Sequence, residues 1–292
     1  NPDYATAHNN LGNILRDLGK VQDAFDSYLK AIDINPKLTN AYSSITSFLK
    51  DSNPSQLDKS KLKYIINILL EMTNVPHQEL FNAFKFIYKN ELINILKILD
   101  SNISKIELLI NNKIIINALK KIIFCDIKLE ELLTKTRRII CDRIYRNIKT
   151  NTSELNFIIA LGEQCFLNEY VYSFTEEENI SINAIIQRCK DGEVNEINIS
   201  ILSCYFPLYK LLDQIPSIKS FNSYNQSFKE LIELQIIESL KEIKLSKNIK
   251  KIGSINDYIS QKVKSQYEEN PYPRWRYGNY AESQKLSITH VI

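Results

Sequence analysis

Three asparagines near the start of the chain, Asn9, Asn10 and Asn13, carry the clearest potential for binding chemistry. A side-chain amide donates and accepts hydrogen bonds at the same time, which suits sequence-tolerant binding of an extended peptide. Asn10 and Asn13 are three residues apart, so they share one face if this segment is helical. The alternative is that all three are solvent-exposed or packing asparagines, because the whole chain is rich in asparagine. Both interpretations remain open from the sequence.

No pattern for phosphate binding, metal binding or nucleophilic catalysis accompanies these asparagines. The six glycines are scattered singly, so the sequence lacks a glycine-rich phosphate loop, and the three histidines have no partner at a metal-ligand spacing. The five cysteines never form a CxxC pair, and we interpret them as reduced core thiols of a cytosolic protein. We therefore expect no catalytic residues, no metal site and no cofactor site in this chain, which alone is not a complete enzyme.

The segment QYEENPYPRW, residues 266 to 275, is the second candidate for function because its residue types are rare elsewhere. It contains the single Trp of the chain and two of its eight Pro. Pro271 and Pro273 favour a stiff, extended backbone, which would present Arg274 and Trp275 in fixed directions. Such a segment suits a ligand-facing lid or an interdomain seam. A proline-stiffened linker anchored by Trp275 is the alternative.

Composition and charge restrict the possible partners. The chain has 292 residues, of which 44% are hydrophobic and 24% are charged, and its net charge of +3 arises from interleaved acidic and basic residues. This pattern favours neither nucleic acid nor an anionic membrane as a partner. No apolar run reaches the roughly 18 residues that a membrane span requires, so we predict a cytoplasmic location. Because the chain begins with Asn1 and its one Met is Met72, we expect it to be a fragment of a longer protein.

A repeat of 34 residues organises the amino-terminal part of the chain. Asn1-Pro2 recurs as Asn35-Pro36, and Leu15 recurs as Leu49. Within the repeat, small residues stand where two helices could approach closely, and Pro36 is placed to end the second helix. The residues that define this pattern are Leu11, Gly12, Leu15, Gly19, Ala24, Tyr28, Ala31 and Pro36.

These positions resemble the tetratricopeptide repeat family over residues 2 to 36, and more weakly over residues 37 to 49. The resemblance implies that the helix carrying Asn10 lines a concave groove that binds protein or peptide. In the related repeats of protein O-glycosyltransferases, the position of Asn10 contacts a peptide backbone through its side-chain amide. Such repeats bury their faces against neighbouring repeats, so we expect further repeats before Asn1.

Helical periodicity continues after a break at Pro54. Apolar residues recur at helical spacing through 60–74, 77–99, 103–123, 127–149, 153–172 and 224–244. Thr175 and Glu178 predict a capping box that opens a further helix, and Gly192 is placed to end it. The run KIIIN at 113–117 has the composition of a strand but alternates with nothing, and we interpret the aromatic segments 161–178 and 204–211 as core.

The sequence therefore predicts an all-α fold, with a tetratricopeptide helix pair followed by an irregular α-helical domain. We predict a repeat region at 1–49, an α-helical domain at 50–250, and a last helix with the connector QYEENPYPRW at 251–292.

Three stretches, QCFLNEYVYSFTEEE, YFPLYKL and INDYISQKVKSQYEENPYPRW, resemble the region between the repeats and the catalytic domain in a family of bacterial fusion proteins. Those proteins combine tetratricopeptide repeats with a class I S-adenosylmethionine-dependent methyltransferase domain. The resemblance implies that a catalytic domain follows Ile292 and uses S-adenosylmethionine. It also implies that one set of side chains faces that domain: Tyr267, Glu268, Asn270, Tyr272, Arg274 and Trp275.

The functional hypothesis is a protein-binding or peptide-binding repeat and helical portion of such a methyltransferase, whose catalytic domain lies outside this chain. The alternative is a non-enzymatic interaction scaffold, or the repeat arm of another transferase such as a protein O-glycosyltransferase. The sequence does not indicate the acceptor substrate or the oligomeric state.

Overall fold

The computed structural model describes residues 4–248 and 257–269, with side chains through residue 266. These residues form α-helices joined by short turns, and no β-strand occurs among them, which confirms the predicted all-α fold. The described residues fall into two compact units, the first ending at Asn90 and the second beginning at Glu91. This division falls inside a helix.

The first unit contains the repeat and the helices that directly follow it. Its helices are α1 (Ala5–Asp17), α2 (Val21–Ile34), α3 (Thr39–Asp51), α4 (Lys59–Glu71) and the first part of α5 (Phe81–Ser101), with 3₁₀ turns at Pro54–Gln56 and His77–Leu80. The helix pair α1 and α2 therefore corresponds to the repeat that the sequence predicts, and α3 corresponds to the start of a second repeat.

Small residues allow α1 and α2 to approach closely. A Cβ atom at Gly12 would lie 2.6 Å from Cε1 of Tyr28 on α2, so a hydrogen is all that fits at this position. The Tyr28 ring is fully buried and packs against Phe48 of α3 with ring centroids 5.5 Å apart. The core of the repeat thus runs from α1 through Tyr28 to α3.

The second unit is entirely helical in its described part. Its helices after α5 are α6 (Glu107–Ile110), α7 (Lys113–Lys121), α8 (Ile127–Tyr145), α9 (Thr152–Leu167), α10 (Glu176–Lys190), α11 (Glu196–Ser203), α12 (Ser217–Ser220), α13 (Gln226–Ile232), α14 (Ser239–Ser246) and α15 (Tyr258–Glu269). Shorter 3₁₀ turns lie at Ile103–Ile106 and Leu208–Leu211, and a π-helical turn lies at Glu233–Glu238.

Helix α9 is the centre of the second unit, and every residue from 157 to 167 is buried. Gln164 on this helix donates from Nε2 to the carbonyls of Leu119 (2.9 Å) and Ile122 (2.6 Å) at the end of α7. Its Oε1 accepts a hydrogen bond from the backbone N–H of Phe124 (3.0 Å). One buried side chain therefore satisfies three backbone groups that the end of α7 leaves without helical partners.

The structure confirms the predicted start and end of α10. Thr175 Oγ1 accepts a hydrogen bond from the backbone N–H of Glu178 (3.3 Å), and the Glu178 carboxylate accepts one from the backbone N–H of Thr175 (2.9 Å). The helix ends at Lys190, and Gly192 adopts a φ of +104°, a left-handed conformation that favours glycine. The run at 113–117 lies in α7, as the all-α prediction requires.

One predicted helix is interrupted in the structure, and a second contains a π-helical turn. The segment 103–123 divides at Asn112, which directly precedes α7. The Asn112 Oδ1 atom accepts hydrogen bonds from the backbone N–H groups of Ile114 and Ile115 and so caps the start of this helix. The segment 224–244 contains the π-helical turn, which places Gln235 in the core. Its Nε2 donates to the carbonyl of Gly162 (2.9 Å) on α9. The prediction of one continuous helix was wrong for 103–123, because the Asn112 side chain offers the backbone local hydrogen bonds that periodicity does not reveal. From Gln226 to Ser246 the chain is helical without a break, and periodicity did not indicate the π-helical turn within it.

The close approach of α1 and α2 predicts the effect of enlarging Gly12. We expect Gly12→Ala to lower the free energy of unfolding by about 1–3 kcal/mol, because the buried Tyr28 ring has no room to move. Urea denaturation followed by circular dichroism measures this change. Asn10→Ala, at an exposed position of the same helix, is the control and should change stability by less than about 0.5 kcal/mol. A gain in stability for Gly12→Ala, as helix propensity alone predicts, would show that the ring yields.

Candidate peptide-binding surface

The three asparagines of α1 lie in different environments. Asn10 is exposed and Asn13 is half-buried, whereas Asn9 is 6% exposed and lies on the buried face with Ala5 and Gly12. The Oδ1 atom of Asn9 is buried and has no hydrogen-bond partner among the residues that the structure describes. Asn10 and Asn13 are therefore the two amides at the surface, and Asn9 lies beneath them.

A hydrogen bond from the repeat core fixes the side chain of Asn13. The Tyr28 hydroxyl donates to Asn13 Oδ1 at 2.9 Å. The Nδ2 group of Asn13 makes no hydrogen bond within the described part of the chain, and it is not among the buried polar atoms. The amide therefore presents its donor nitrogen away from Tyr28.

Apolar side chains accompany the asparagines on α1. Leu11, Ile14 and Leu18 are 43%, 58% and 66% exposed, and they follow each other at intervals of three and four residues. The first interval places Leu11 and Ile14 on one side of α1, and Leu18 directly follows the end of the helix. We use the name α1 surface for Asn10, Asn13, Ile14 and Leu18, and we leave out Leu11 because it lies two residues from Asn13 and faces a different side of the helix from it. The surface combines hydrogen-bonding amides with apolar anchors, a combination typical of protein recognition sites.

The amides do not recur in the following helix. The positions 34 residues after Asn10 and Asn13 are Ser44 and Ser47, both half-buried on α3. Thr46 stands where the first repeat has Gly12, and its hydroxyl donates to the carbonyl of Tyr42 (2.8 Å). A row of identical amides therefore does not extend from α1 to α3.

The second predicted site, in the segment 266–275, stays a prediction. Tyr267 and Glu268 belong to the backbone of α15, but their side chains lie outside the described residues. Asn270, Tyr272, Arg274 and Trp275 lie entirely outside them.

A buried cluster includes part of the aromatic and acidic segment 161–178. The Arg137 guanidinium of α8 lies 4.3 Å from the ring centroid of Tyr205, and the Tyr205 hydroxyl donates to Glu178 Oε1 at 2.7 Å. Arg137 also donates to the carbonyls of Tyr172 (3.2 Å) and Ser173 (2.7 Å) and lies 3.4 Å from Glu178 Oε1. Burial raises the pKa of Tyr205, so its hydroxyl stays protonated and acts as a donor. The cluster joins α8, α10 and Tyr205 as a structural cross-link.

An open groove of about 740 Å³ borders this cluster. Its apolar lining comes from Leu99, Ile103, Ile127, Ile139 and Val171. Its charged lining is mixed in sign and largely paired within the chain, since Lys135 contacts Asp100 and Arg138 contacts Glu178. No group of three or more His, Cys, Asp or Glu residues in the described ranges could hold a metal ion.

Four of the five cysteines confirm the interpretation as core thiols, and one does not. Cys141, Cys165, Cys189 and Cys204 are buried and free. Burial raises the pKa of Cys141 and of Cys189 to about 11, which keeps both thiols protonated and unreactive at neutral pH. Cys125 is exposed, because it lies in the turn between α7 and α8.

Comparison with known proteins identifies the repeat. The family model described as tetratricopeptide repeat matches residues 5–38, which span α1, α2 and the turn that follows them. The chain therefore carries a tetratricopeptide repeat at its amino-terminal end, a motif that suggests protein–protein interaction. No curated protein and no solved structure matches the chain. No helix within the described ranges is long and apolar enough to cross a membrane.

The buried cluster predicts different effects for two adjacent arginines that contact the same carboxylate. The Arg137 side chain is 1% exposed and that of Arg138 is 49% exposed, and both lie within 3.4 Å of a Glu178 oxygen. We expect Arg137→Ala to lower the free energy of unfolding by about 3–5 kcal/mol, because the carbonyls of Tyr172 and Ser173 lose their donor and the buried Glu178 carboxylate loses its buried cationic partner. Arg138→Ala should cost less than about 1 kcal/mol. Urea denaturation measures both variants, and equal small losses would contradict a structural role for the cluster.

Proposed function

We propose that the α1 surface binds an extended segment of a partner protein. The tetratricopeptide motif at 5–38 suggests protein binding, and the observation that carries the proposal is the position of Asn10 and Asn13 on an exposed helix face. A peptide unit offers one N–H donor and one carbonyl acceptor, and a side-chain amide matches both. Ile14 and Leu18 would then contact apolar side chains of the partner.

The other asparagines of the chain include residues at helix starts and residues in helix interiors, such as Asn67 in α4 and Asn183 in α10. Many of them begin helices, where the side chain accepts hydrogen bonds from the first backbone N–H groups. The asparagines with this role are Asn53, Asn102, Asn112, Asn151, Asn195 and Asn225. Asn10 and Asn13 lie inside α1, where asparagine has low helix propensity and no capping role is available. Capping therefore does not explain their presence.

A peptide array tests the proposal. We expect the wild-type chain to bind a subset of extended peptides and Asn10→Ala to bind them about 5- to 20-fold more weakly, the equivalent of one or two hydrogen bonds. Asn183→Ala, at an exposed position of α10 in the second unit, is the matched control and should bind like wild type. Equal binding by wild type and Asn10→Ala would refute the role of Asn10.

The second candidate function is that this chain is the binding portion of an S-adenosylmethionine-dependent methyltransferase. Its support is the sequence resemblance of the three stretches that end at Trp275. Within the described residues, these stretches supply part of the core of the second unit, including Phe166, Tyr172, Glu178 and Tyr205. The resemblance therefore supports a related helical domain, and methyl transfer itself rests on a domain beyond Ile292. The alternatives are a non-enzymatic scaffold and the repeat arm of another transferase.

Two expectations follow from the methyltransferase hypothesis, and each can be tested separately. Isothermal titration calorimetry of the 292-residue chain should detect no binding of S-adenosylmethionine, and micromolar binding would reveal a site that the sequence does not indicate. The codons after Ile292 should encode a strand, a glycine-rich loop and an acidic residue about 20 positions further on. A stop codon soon after Ile292 would contradict this candidate and leave the peptide-binding proposal intact.

A further inference from the structure

The Tyr28 hydroxyl is held in place by the core of the repeat. The ring is fully buried, lies against Phe48 and occupies the space beside Gly12. Its hydroxyl lies beside α1 and donates to Asn13 Oδ1 at 2.9 Å. A ring with so little freedom fixes the position of its donor.

We propose that Tyr28 is a positioning residue for the α1 surface, and that it sets Asn13 to recognise a hydrogen-bond acceptor such as the backbone carbonyl of a bound peptide. The Tyr28 hydrogen bond occupies one acceptor site of Asn13 Oδ1 and leaves the Nδ2 donor without a hydrogen bond in the described residues, so Nδ2 is the group that the proposal assigns to a ligand. The inference rests on the proposed peptide-binding function and deepens it, because it assigns to Asn13 the role of a hydrogen-bond donor.

The chemistry of Tyr28 keeps this arrangement constant. Burial raises the pKa of Tyr28, so the hydroxyl remains protonated at neutral pH and continues to donate. A free asparagine side chain rotates and loses that freedom when it binds a ligand, whereas Asn13 is already ordered. Loss of the Tyr28 hydroxyl should therefore weaken binding about 2- to 10-fold, even though Tyr28 itself contacts no ligand.

A double-mutant cycle tests whether Tyr28 acts through Asn13. The dissociation constant of a peptide selected from the array is measured by fluorescence anisotropy for wild type, Tyr28→Phe, Asn13→Ala and the double variant. Phenylalanine keeps the ring packing and removes the hydroxyl alone. We expect the double variant to bind no more weakly than Asn13→Ala, because the hydroxyl has no effect once its acceptor is gone. Losses that multiply would show that Tyr28 acts by another route and would overturn the inference.

Asn13→Asp tests the assigned polarity. The carboxylate still accepts a hydrogen bond from Tyr28, but it has no donor to present. We expect it to weaken peptide binding at least as much as Asn13→Ala does. Binding by Asn13→Asp at wild-type affinity would contradict a donor role for Nδ2.

A second tyrosine–asparagine pair in the first unit supplies the control. The Tyr88 hydroxyl donates to Asn67 Oδ1 at 2.7 Å, between α5 and α4 and outside the matched repeat. Tyr88→Phe removes an equivalent hydrogen bond and should leave peptide affinity unchanged. An equal loss for Tyr88→Phe and Tyr28→Phe would indicate a general effect on stability and overturn the inference.

The outcomes distinguish this inference from the proposed function. If wild type binds peptides and Tyr28→Phe binds them equally well, the inference fails and the peptide-binding function stands. If wild type binds no peptide, both fail. NMR of the Asn13 side-chain amide supplies a readout without ligand: it should be ordered in wild type and mobile in Tyr28→Phe, and an unchanged amide would also overturn the positioning role.

Discussion

Close contact between helices is the constraint on which both compact units depend, and in each unit a glycine permits it. At Gly12 a side chain would meet the Tyr28 ring, and at Gly162 of α9 a Cβ atom would lie 3.1 Å from Cβ of Ser203 on α11. Because protein interiors have few voids, a side chain at either position would force the neighbouring helix outward. The Tyr28 ring and the buried face of α9 keep their positions for this reason.

Helices this closely packed require partners for the polar groups that they bury, and the second unit supplies them with side chains. Gln164 satisfies the end of α7, Gln235 joins α9 to the π-helical turn, and Arg137 satisfies two carbonyls of the segment before α10. Each of these groups is almost fully buried. Polar and charged residues are thus used to hold helices together, and Gln164 and Glu178 of the aromatic and acidic segment have structural partners.

Asparagine occurs in this fold both at helix starts and inside helices. At helix starts, asparagine satisfies the backbone, and its position follows from local structure. In the middle of α1, Asn10 and Asn13 serve no such purpose, and one of them is oriented by a tyrosine of the neighbouring helix. The proposed binding surface is therefore a product of helix pairing, since neither α1 nor α2 alone would fix the Asn13 amide.

The sequence by itself determined the features that depend on local patterns. The tetratricopeptide helix pair follows from small and large residues at fixed spacing, the all-α fold from apolar periodicity, and the limits of α10 from Thr175, Glu178 and Gly192. These signals are readable because the groups that interact lie within a few residues of one another, or recur at the interval of a known repeat.

Only the tertiary structure decided which asparagines reach the surface and what holds them. Spacing placed Asn10 and Asn13 on one face, but the burial of Asn9 and the hydrogen bond from Tyr28, 15 residues along the chain from Asn13, depend on how α2 packs against α1. The sequence likewise did not indicate the burial of Arg137, the exposure of Cys125 or the π-helical turn around Gln235. Hydrogen bonds and burial of this kind join groups that are distant in sequence, and no local pattern records which partner each side chain finds.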